Sequence, residues 1–213
     1  MAKSASIFDT NNFNNLCNSL SQKDRELGLI IKEHGYPPMW TRSNTFASLI
    51  HIILEQQVSL ASAKAALNKL KQKIGRITPG NLLSLSDSEM KACYFSRQKI
   101  VYARHLAETI LSGKINLKKL ALLPDDEVRK ILKEVKGIGD WTADIYLIFV
   151  LRRTDILPIG DLAMRNAMKE IKKLNKDASA DHLLKIAGNW QPYRTIATMI
   201  LWHHYIKTRN IRL

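Results

Sequence analysis

The sequence predicts an all-α protein. Apolar residues recur at the three- and four-residue spacing of amphipathic helices along most of the 213 residues. No segment shows a convincing alternation of apolar and polar residues, which is the pattern of a half-buried strand. Since 46% of the residues are hydrophobic, the chain can bury a substantial core, and its length suits one large domain or two small lobes around a shared cleft.

The predicted helices follow one another with cap and turn residues between them. They cover about residues 22–32, 44–56, 59–74, 82–85, 96–111, 115–123, 126–134, 140–151, 161–173, 180–187 and 192–207. Ser43 is expected to cap the second of these helices, Ser86 or Asp87 a short helix beyond residue 85, and Asp125 the helix after Pro124. The polar stretch before residue 22 is not assigned to a helix.

The helix at 140–151 is apolar on nearly every face, which indicates a central, buried helix. It contrasts with the amphipathic helix that precedes it at 126–134. We therefore expect the later helix to lie in the core and the earlier one to lie at the surface.

The charge balance favours a polyanionic partner. Lysine and arginine number 33 against 19 acidic residues, which gives a formal net charge of +14. Nucleic acid fits this excess better than an acidic membrane surface. The alternative is a generally basic soluble protein.

The sequence gives no sign of a membrane or secreted protein. No apolar run is long enough to span a bilayer, and the first 15 residues lack the apolar stretch of a secretory signal. Cys17 and Cys93 form no metal-binding or iron–sulfur spacing, so both are interpreted as reduced thiols. We expect an intracellular protein located with the DNA.

The stretch KGIGDWTAD at 136–144 places two glycines between two helical patterns. Glycine tolerates positive φ and close backbone approach, so Gly137 and Gly139 allow a very short reversal of the chain. The next helix then begins with unpaired N–H groups, which can bind a DNA phosphate. The alternative is an ordinary helix end without a ligand. Carbonyls of Lys133, Val135 and Ile138 could also gather round a monovalent cation that bridges to the phosphate.

Three segments in order carry a resemblance to a known family. EVKGIGDWTADIYLIFVL (134–151), followed by DILPIGDLAMR (155–165), resembles the helix-hairpin-helix DNA glycosylases with a catalytic aspartate. FASLIHIILEQQVSLASAKAALNKL (46–70) and WQPYRTIATMILWHHY (190–205) resemble its alkylation-repair branch, the 3-methyladenine DNA glycosylase II type. The resemblance implies one helix-hairpin-helix domain over residues 1–213, with two helical lobes, a hairpin at about 125–151 and a DNA-binding cleft between the lobes. It looks like the compact form, without an N-terminal β-rich domain.

The resemblance implies that Asp161 is catalytic. Read locally, Asp161 is a good N-cap for the helix that follows, and the two roles are compatible because a cap holds the carboxylate rigid. Breaking an N-glycosidic bond creates positive charge at C1′ of the sugar, which a carboxylate stabilises. Lyase-competent relatives have a lysine where this chain has Trp141. Since an indole cannot form a Schiff base, we expect base removal without strand cleavage.

The remaining site residues also come from the resemblance. The base pocket is expected to contain Trp141, Trp202 and Trp40, with Ile145 and Leu162 at positions that are aromatic in larger members. Indole faces would attract a cationic alkylated purine, although the tryptophans could equally be core residues, as Trp190 is expected to be. The DNA-binding residues are expected to be Gly137, Gly139, Thr142 and Gln57.

Gln57 matches the position of the residue that fills the gap when a base is flipped out, or is simply a polar residue at a helix end. The expected partner is double-stranded DNA with damaged bases, bound by a monomer that requires no cofactor. Two alternatives stay open: a glycosylase for deaminated or etheno bases, and a helix-hairpin-helix protein that binds DNA without catalysis.

Overall fold

The computed structural model describes residues 6–211 and confirms the all-α prediction. Thirteen α-helices lie within this range, with an isolated β-bridge between Ile7 and Arg153. The helices are α1 (Phe13–Lys23), α2 (Arg25–His34), α3 (Phe46–Glu55), α4 (Leu60–Ile74), α5 (Pro79–Leu83), α6 (Asp87–Ala92), α7 (Arg97–Leu111), α8 (Leu117–Leu120), α9 (Asp125–Lys133), α10 (Asp140–Phe149), α11 (Leu162–Ile171), α12 (Ala180–Ala187) and α13 (Arg194–Thr208). No helix within the described range is long and apolar enough to cross a membrane.

The chain divides into two compact units. Among the described residues, one unit contains residues 6–41 and 147–211, and the other contains residues 42–146. The boundary falls inside α10, whose first residues belong to the second unit.

The first unit is built around α13, which packs against α1, α2 and α11. Nine consecutive residues of this helix, from Thr195 to His203, are buried. Beside it, the fully buried Trp190 donates its indole N–H to Asp24 Oδ2 at 2.6 Å, and Lys172 Nζ lies 2.7 Å from the same oxygen. Burial raises the pKa of Asp24, but these hydrogen bonds outweigh it, so the pKa lies below its ordinary value. The prediction that Trp190 packs inside the protein is confirmed.

The second unit contains α3 to α9. Helix α3 buries six apolar side chains and packs against α4 and α7, and α7 also packs against α5 and α6. Ser59, Ser86 and Ser96 each cap the helix that follows, because each side chain accepts a hydrogen bond from the backbone N–H three residues on.

Some predicted helix starts were wrong. The residues before 22 contain α1, whose Phe13, Cys17 and Leu20 are buried. Thr45, rather than Ser43, caps α3, because its side chain accepts from Ser48 N. Pro124 occupies the N-cap of α9 and Asp125 is the first helical residue, since a proline ring fits the start of a helix where no N–H is needed.

Candidate active site and DNA-binding turn

The two glycines form a tight turn between α9 and α10. Helix α9 ends at Lys133 and α10 begins at Asp140. Ile138 donates its backbone N–H to Val135 O at 3.0 Å, and Gly137 has φ 87°, a left-handed conformation that favours glycine. The turn therefore forms as the sequence predicts.

Helix α7 supports the turn from one side. The ring of Tyr102 packs so closely on Gly137 that a Cβ at this position would overlap it. One helical turn further on, His105 Nδ1 accepts the backbone N–H of Lys136 at 2.9 Å. Gly137 is thus required twice, by its backbone conformation and by its contact with Tyr102.

Gly139 has a different environment. It is exposed, and a Cβ at this position would meet nothing within 4 Å. The space next to its backbone is therefore open to a ligand at the start of α10, where the dipole favours an anion. Asp140 follows directly and pairs with Lys133 Nζ at 2.6 Å, which offsets its negative charge.

The end of α3 meets the other side of the turn. Gln56 Nε2 donates to Gly137 O and to Thr142 Oγ1, both at 2.9 Å. Thr142 is only 2% exposed, so its hydroxyl supports the hairpin from inside and does not face solvent. The expected DNA contact at Thr142 stays a prediction. Gln57 is exposed and has φ 56°.

Asp161 lies at the start of α11 in the first unit. Its Oδ1 accepts the backbone N–H of Met164 at 2.8 Å, so the predicted N-cap is confirmed. The same oxygen accepts the indole N–H of Trp202 at 2.9 Å. Two donors on one carboxylate oxygen fix the orientation of the group, which is half-buried.

The loop before Asp161 is fastened to the start of α13. Arg194 binds Asp155 through both side-chain oxygens, with Nε–Oδ1 at 2.7 Å and Nη2–Oδ2 at 2.9 Å. Thr195 Oγ1 donates to Arg153 O at 2.6 Å and accepts the backbone N–H of Ile156 at 2.9 Å. Helix α13 therefore holds both ends of this loop, since it also carries Trp202.

The predicted pocket residues have very different exposures. Trp202 is 8% exposed, and its ring lies 5.5 Å from that of Phe149 at an angle of 46°. Ile145 is 2% exposed, as in a core residue, whereas Leu162, the neighbour of Asp161, is 67% exposed. Trp40 and Trp141 are half-buried.

The structure gathers the predicted residues into two groups. Asp161, Trp202, Trp40 and Leu162 belong to the first unit, and Asp161 and Trp202 are in direct contact. The second unit contains Gly137, Gly139, Thr142, Gln57, Trp141 and Ile145. Sequence reasoning missed four supporting residues, namely Gln56, Tyr102, Arg194 and Phe149.

Metal-binding side chains are not clustered. Among residues 6–211, no group of three or more His, Cys, Asp or Glu side chains is placed to hold a metal ion. Both cysteines are buried free thiols, and burial raises the pKa of Cys17 to about 12.

Comparison with known proteins gives consistent matches. A family model described as HhH-GPD superfamily base excision DNA repair protein matches residues 50–192. DNA-3-methyladenine glycosylase 1 of Schizosaccharomyces pombe is 33% identical over 165 residues, which cover 76% of this chain and 72% of that protein. The Bacillus subtilis protein YfjP is 26% identical over 184 residues, and this chain spans 64% of its length.

Two solved structures resemble the fold closely. The S. pombe 3-methyladenine DNA glycosylase Mag1, in complex with abasic DNA, has a TM-score of 0.82 at 30% identity, over 88% of this chain and 95% of that one. A DNA-3-methyladenine glycosidase from Bacillus halodurans has a TM-score of 0.77 at 29% identity, over 92% and 91% of the two chains.

Proposed function

This chain belongs to the HhH-GPD superfamily of base excision DNA repair proteins, and we propose that it is a monofunctional DNA glycosylase that removes alkylated purines. Base excision requires a group that stabilises positive charge on the sugar. The observation that carries the proposal is the half-buried Asp161 carboxylate, held by Trp202 and by the first turn of α11.

The reaction is a hydrolysis at C1′ of the damaged nucleotide. The bond between C1′ and the base nitrogen breaks, and its electron pair leaves with the base. Asp161 stabilises the positive charge that develops on the sugar, and a water oxygen then forms the new bond to C1′. The water proton passes to Asp161 or to solvent, which leaves a free base and an abasic site.

Alkylated purines such as 3-methyladenine suit a site with one carboxylate. These bases already carry positive charge, so they leave without much further protonation. An indole face attracts such a cation by stacking and cation–π interaction, which is the role we assign to Trp202 and Trp141. The names of the relatives, which are 3-methyladenine glycosylases, support this substrate class.

The DNA backbone is bound by the turn that contains Gly139. Its open face and the start of α10 suit a phosphate, and the formal charge of +14 attracts DNA of any sequence. The protein is proposed to bind damaged double-stranded DNA as a monomer, with the exposed Gln57 filling the space that the flipped base leaves.

A monovalent cation at the turn remains part of the proposal. Its ligands would be the carbonyl oxygens of Lys133, Val135 and Ile138. Val135 O accepts one hydrogen bond, from Ile138 N, and a carbonyl oxygen has two lone pairs, so this oxygen can also bind a cation. When bound, such an ion would supply positive charge beside the phosphate.

Absence of strand cleavage follows from Trp141. A lyase reaction needs an amine that forms a Schiff base with the sugar, and an indole nitrogen does not do so. The abasic site is therefore proposed to leave the enzyme with its strand intact.

The test is release of bases from duplexes that each contain one lesion, scored for base loss and strand cleavage. The wild-type protein should release 3-methyladenine or 7-methylguanine without cutting the strand. Asp161→Asn should lose about 10³-fold in rate and still bind DNA, because asparagine keeps the N-cap.

Three results would contradict the proposal. Equal rates for the Asp161→Asn variant and the wild type would remove the catalytic role of Asp161. Release of hypoxanthine or an etheno base alone would change the substrate class. Binding without release of any base would favour a non-catalytic DNA-binding protein.

A further inference from the structure

The last two residues of α3 and the residue that follows them are each anchored by a different partner. Leu54 O accepts a hydrogen bond from Lys99 Nζ at 2.6 Å, and the Glu55 carboxylate binds both terminal nitrogens of the Arg42 guanidinium at 2.6 and 2.8 Å. The Gln56 side chain reaches the hairpin. These three interactions fix the direction in which the backbone leaves α3.

Gln56 connects two segments that are far apart in sequence. Its amide nitrogen donates to Gly137 O and Thr142 Oγ1, which are 81 and 86 residues away. One of these acceptors lies in the turn itself and the other in the first turn of α10. A single side chain thus uses both of its N–H groups to bind the two halves of the hairpin.

Gln57 directly follows the three anchored residues. It is exposed, and its φ of 56° lies in the left-handed region, which is unfavourable for a non-glycine residue. Such a conformation persists only when the surroundings determine it. The interactions of residues 54–56 fix the backbone immediately before Gln57.

We infer that Gln56 is a positioning residue that fixes the predicted wedge residue Gln57 relative to the phosphate-binding turn. This inference rests on the proposed function. When the turn around Gly139 binds a backbone phosphate, the amide of Gln56 holds the start of the Gln57 loop at a set distance from that phosphate. Phosphate binding then places Gln57 where the flipped base leaves the stack, and Gln56 itself contacts neither the base nor the sugar.

Loss of the Gln56 hydrogen bonds should affect duplex and single-stranded substrates differently. A wedge is needed only where a base must be flipped out of a double helix. Gln56→Met keeps the length of the side chain and removes both N–H groups. We expect it to lower single-turnover excision from a duplex about tenfold, with a change of less than about twofold on the same strand alone.

Coupling to Gln57 provides the second measurement. Gln57→Ala should show the same preference for loss on duplex DNA. Because both residues act through one step, the double variant Gln56→Met/Gln57→Ala should be no slower than the slower single variant. Thr142→Val, which removes one of the two acceptors, should give a smaller loss of the same kind, and Thr142→Ser should restore the wild-type rate.

A matched control lies in the same unit. Asn81 also donates a side-chain amide N–H to a backbone carbonyl, that of Arg76 at 2.9 Å, at a distance from the hairpin in sequence. Asn81→Leu should leave both excision rates unchanged.

Three outcomes would overturn the inference. They are equal losses on duplex and single-stranded DNA, additive losses in the double variant, and a wild-type rate for Gln56→Met on duplex DNA. If the wild-type protein released no base from either substrate, this result would contradict the proposed function itself. The panel of single-lesion duplexes would show that independently.

Discussion

Helices α10 and α11 are both ten residues long, but they begin in opposite ways. At α11 the first-turn N–H of Met164 is bound by the carboxylate of Asp161, a group from the chain itself. At α10 the chain arrives through Gly139, whose surroundings are open. The positive end of one helix therefore holds a carboxylate in place, and that of the other adjoins open space, where we propose that a phosphate binds.

The difference shows how one local property serves two purposes. A helix N-terminus favours negative charge whatever its source. Where an acidic residue provides the cap, its carboxylate is held in a fixed orientation, and where glycine provides the approach, the space that we propose for a phosphate stays open. Three of the four predictions that follow alter one helix start and leave the other intact, and the fourth changes a residue further along α10.

The largest effect is expected from Gly137→Ala. The new methyl group would overlap the Tyr102 ring, and alanine would have to adopt φ 87°, so we expect a loss of about 3 kcal/mol in the free energy of unfolding. Urea unfolding measures it. Gly137→Ala/Tyr102→Ala, compared with Tyr102→Ala alone, should show a smaller loss because only the backbone cost remains. An equal loss in both backgrounds would show that the ring contact contributes nothing.

Trp202→Phe should have the next largest effect, at the start of α11. It removes the donor to Asp161 Oδ1 and keeps an aromatic ring beside Phe149. A hydrogen bond to a charged group contributes about 1.5–3 kcal/mol, so kcat should fall between about tenfold and a hundredfold.

Trp190→Phe is the matched control in the same unit, because it removes an indole donor from Asp24. This variant should lower the free energy of unfolding and leave kcat of the folded protein unchanged. If Trp202→Phe kept the wild-type kcat, the indole would not be needed to orient the carboxylate.

Gly139→Ala should have a moderate effect, confined to DNA binding. No atom lies within 4 Å of the new methyl group, so the free energy of unfolding should stay within about 0.5 kcal/mol of the wild-type value. The methyl group would occupy the space proposed for a phosphate, and Kd for duplex DNA should rise about fivefold to tenfold, whatever the sequence. Fluorescence anisotropy measures Kd, and an unchanged value would remove the phosphate from this position.

The smallest effect is expected from Asp144→Asn, and it depends on pH. Asp144 is buried within α10, and burial raises its pKa even though Arg129 Nε lies 2.8 Å from its Oδ1. Because the folded state binds this proton more tightly than the unfolded state, the contribution of Asp144 to stability should be lost as pH rises through the raised pKa. The asparagine side chain has no such proton to lose, so the variant should gain stability relative to the wild type as pH rises.

The contribution of Asp24 to stability should change with pH in the opposite direction, so Asp24→Asn serves as the comparison. Its pKa is lowered, so its contribution is present above the ordinary value of 3.8 and is lost as pH falls through the lowered value. Urea unfolding between about pH 3 and pH 8 would separate the two carboxylates. Parallel pH dependence in the two variants would contradict this account.

Local patterns in the sequence predicted most of the fold, and the exceptions have physical causes. Serine caps and helical spacing located α4 and α7, because both signals act within a few residues. Helix α1 was missed although Phe13, Cys17 and Leu20 follow helical spacing, since the asparagines and serines between them are typical of loops. The cap of α9 lies one position before the predicted Asp125, because Pro124 has no side-chain oxygen by which a sequence pattern could identify it as a cap.

The candidate site was predicted less completely than the fold. The cap at Asp161 could be read locally, but the partner of that carboxylate could not, because Trp202 lies 41 residues away. In the same way, nothing in the sequence tells which of Gln56 and Gln57 faces the hairpin. That choice depends on the direction in which the chain leaves α3, which is set by contacts with residues more than 80 positions further on.

Helix α13 has a practical consequence for protein engineering. Arg194 and Trp202 are eight residues apart, about 12 Å along one rigid helix, and they hold opposite ends of the segment 155–161. A library of variants intended to act on other lesions should therefore leave α13 unchanged. A small rotation of this helix would displace the Asp161 carboxylate. Randomisation is better directed at Leu162, which projects into solvent beside Asp161 and can be replaced at little cost to folding.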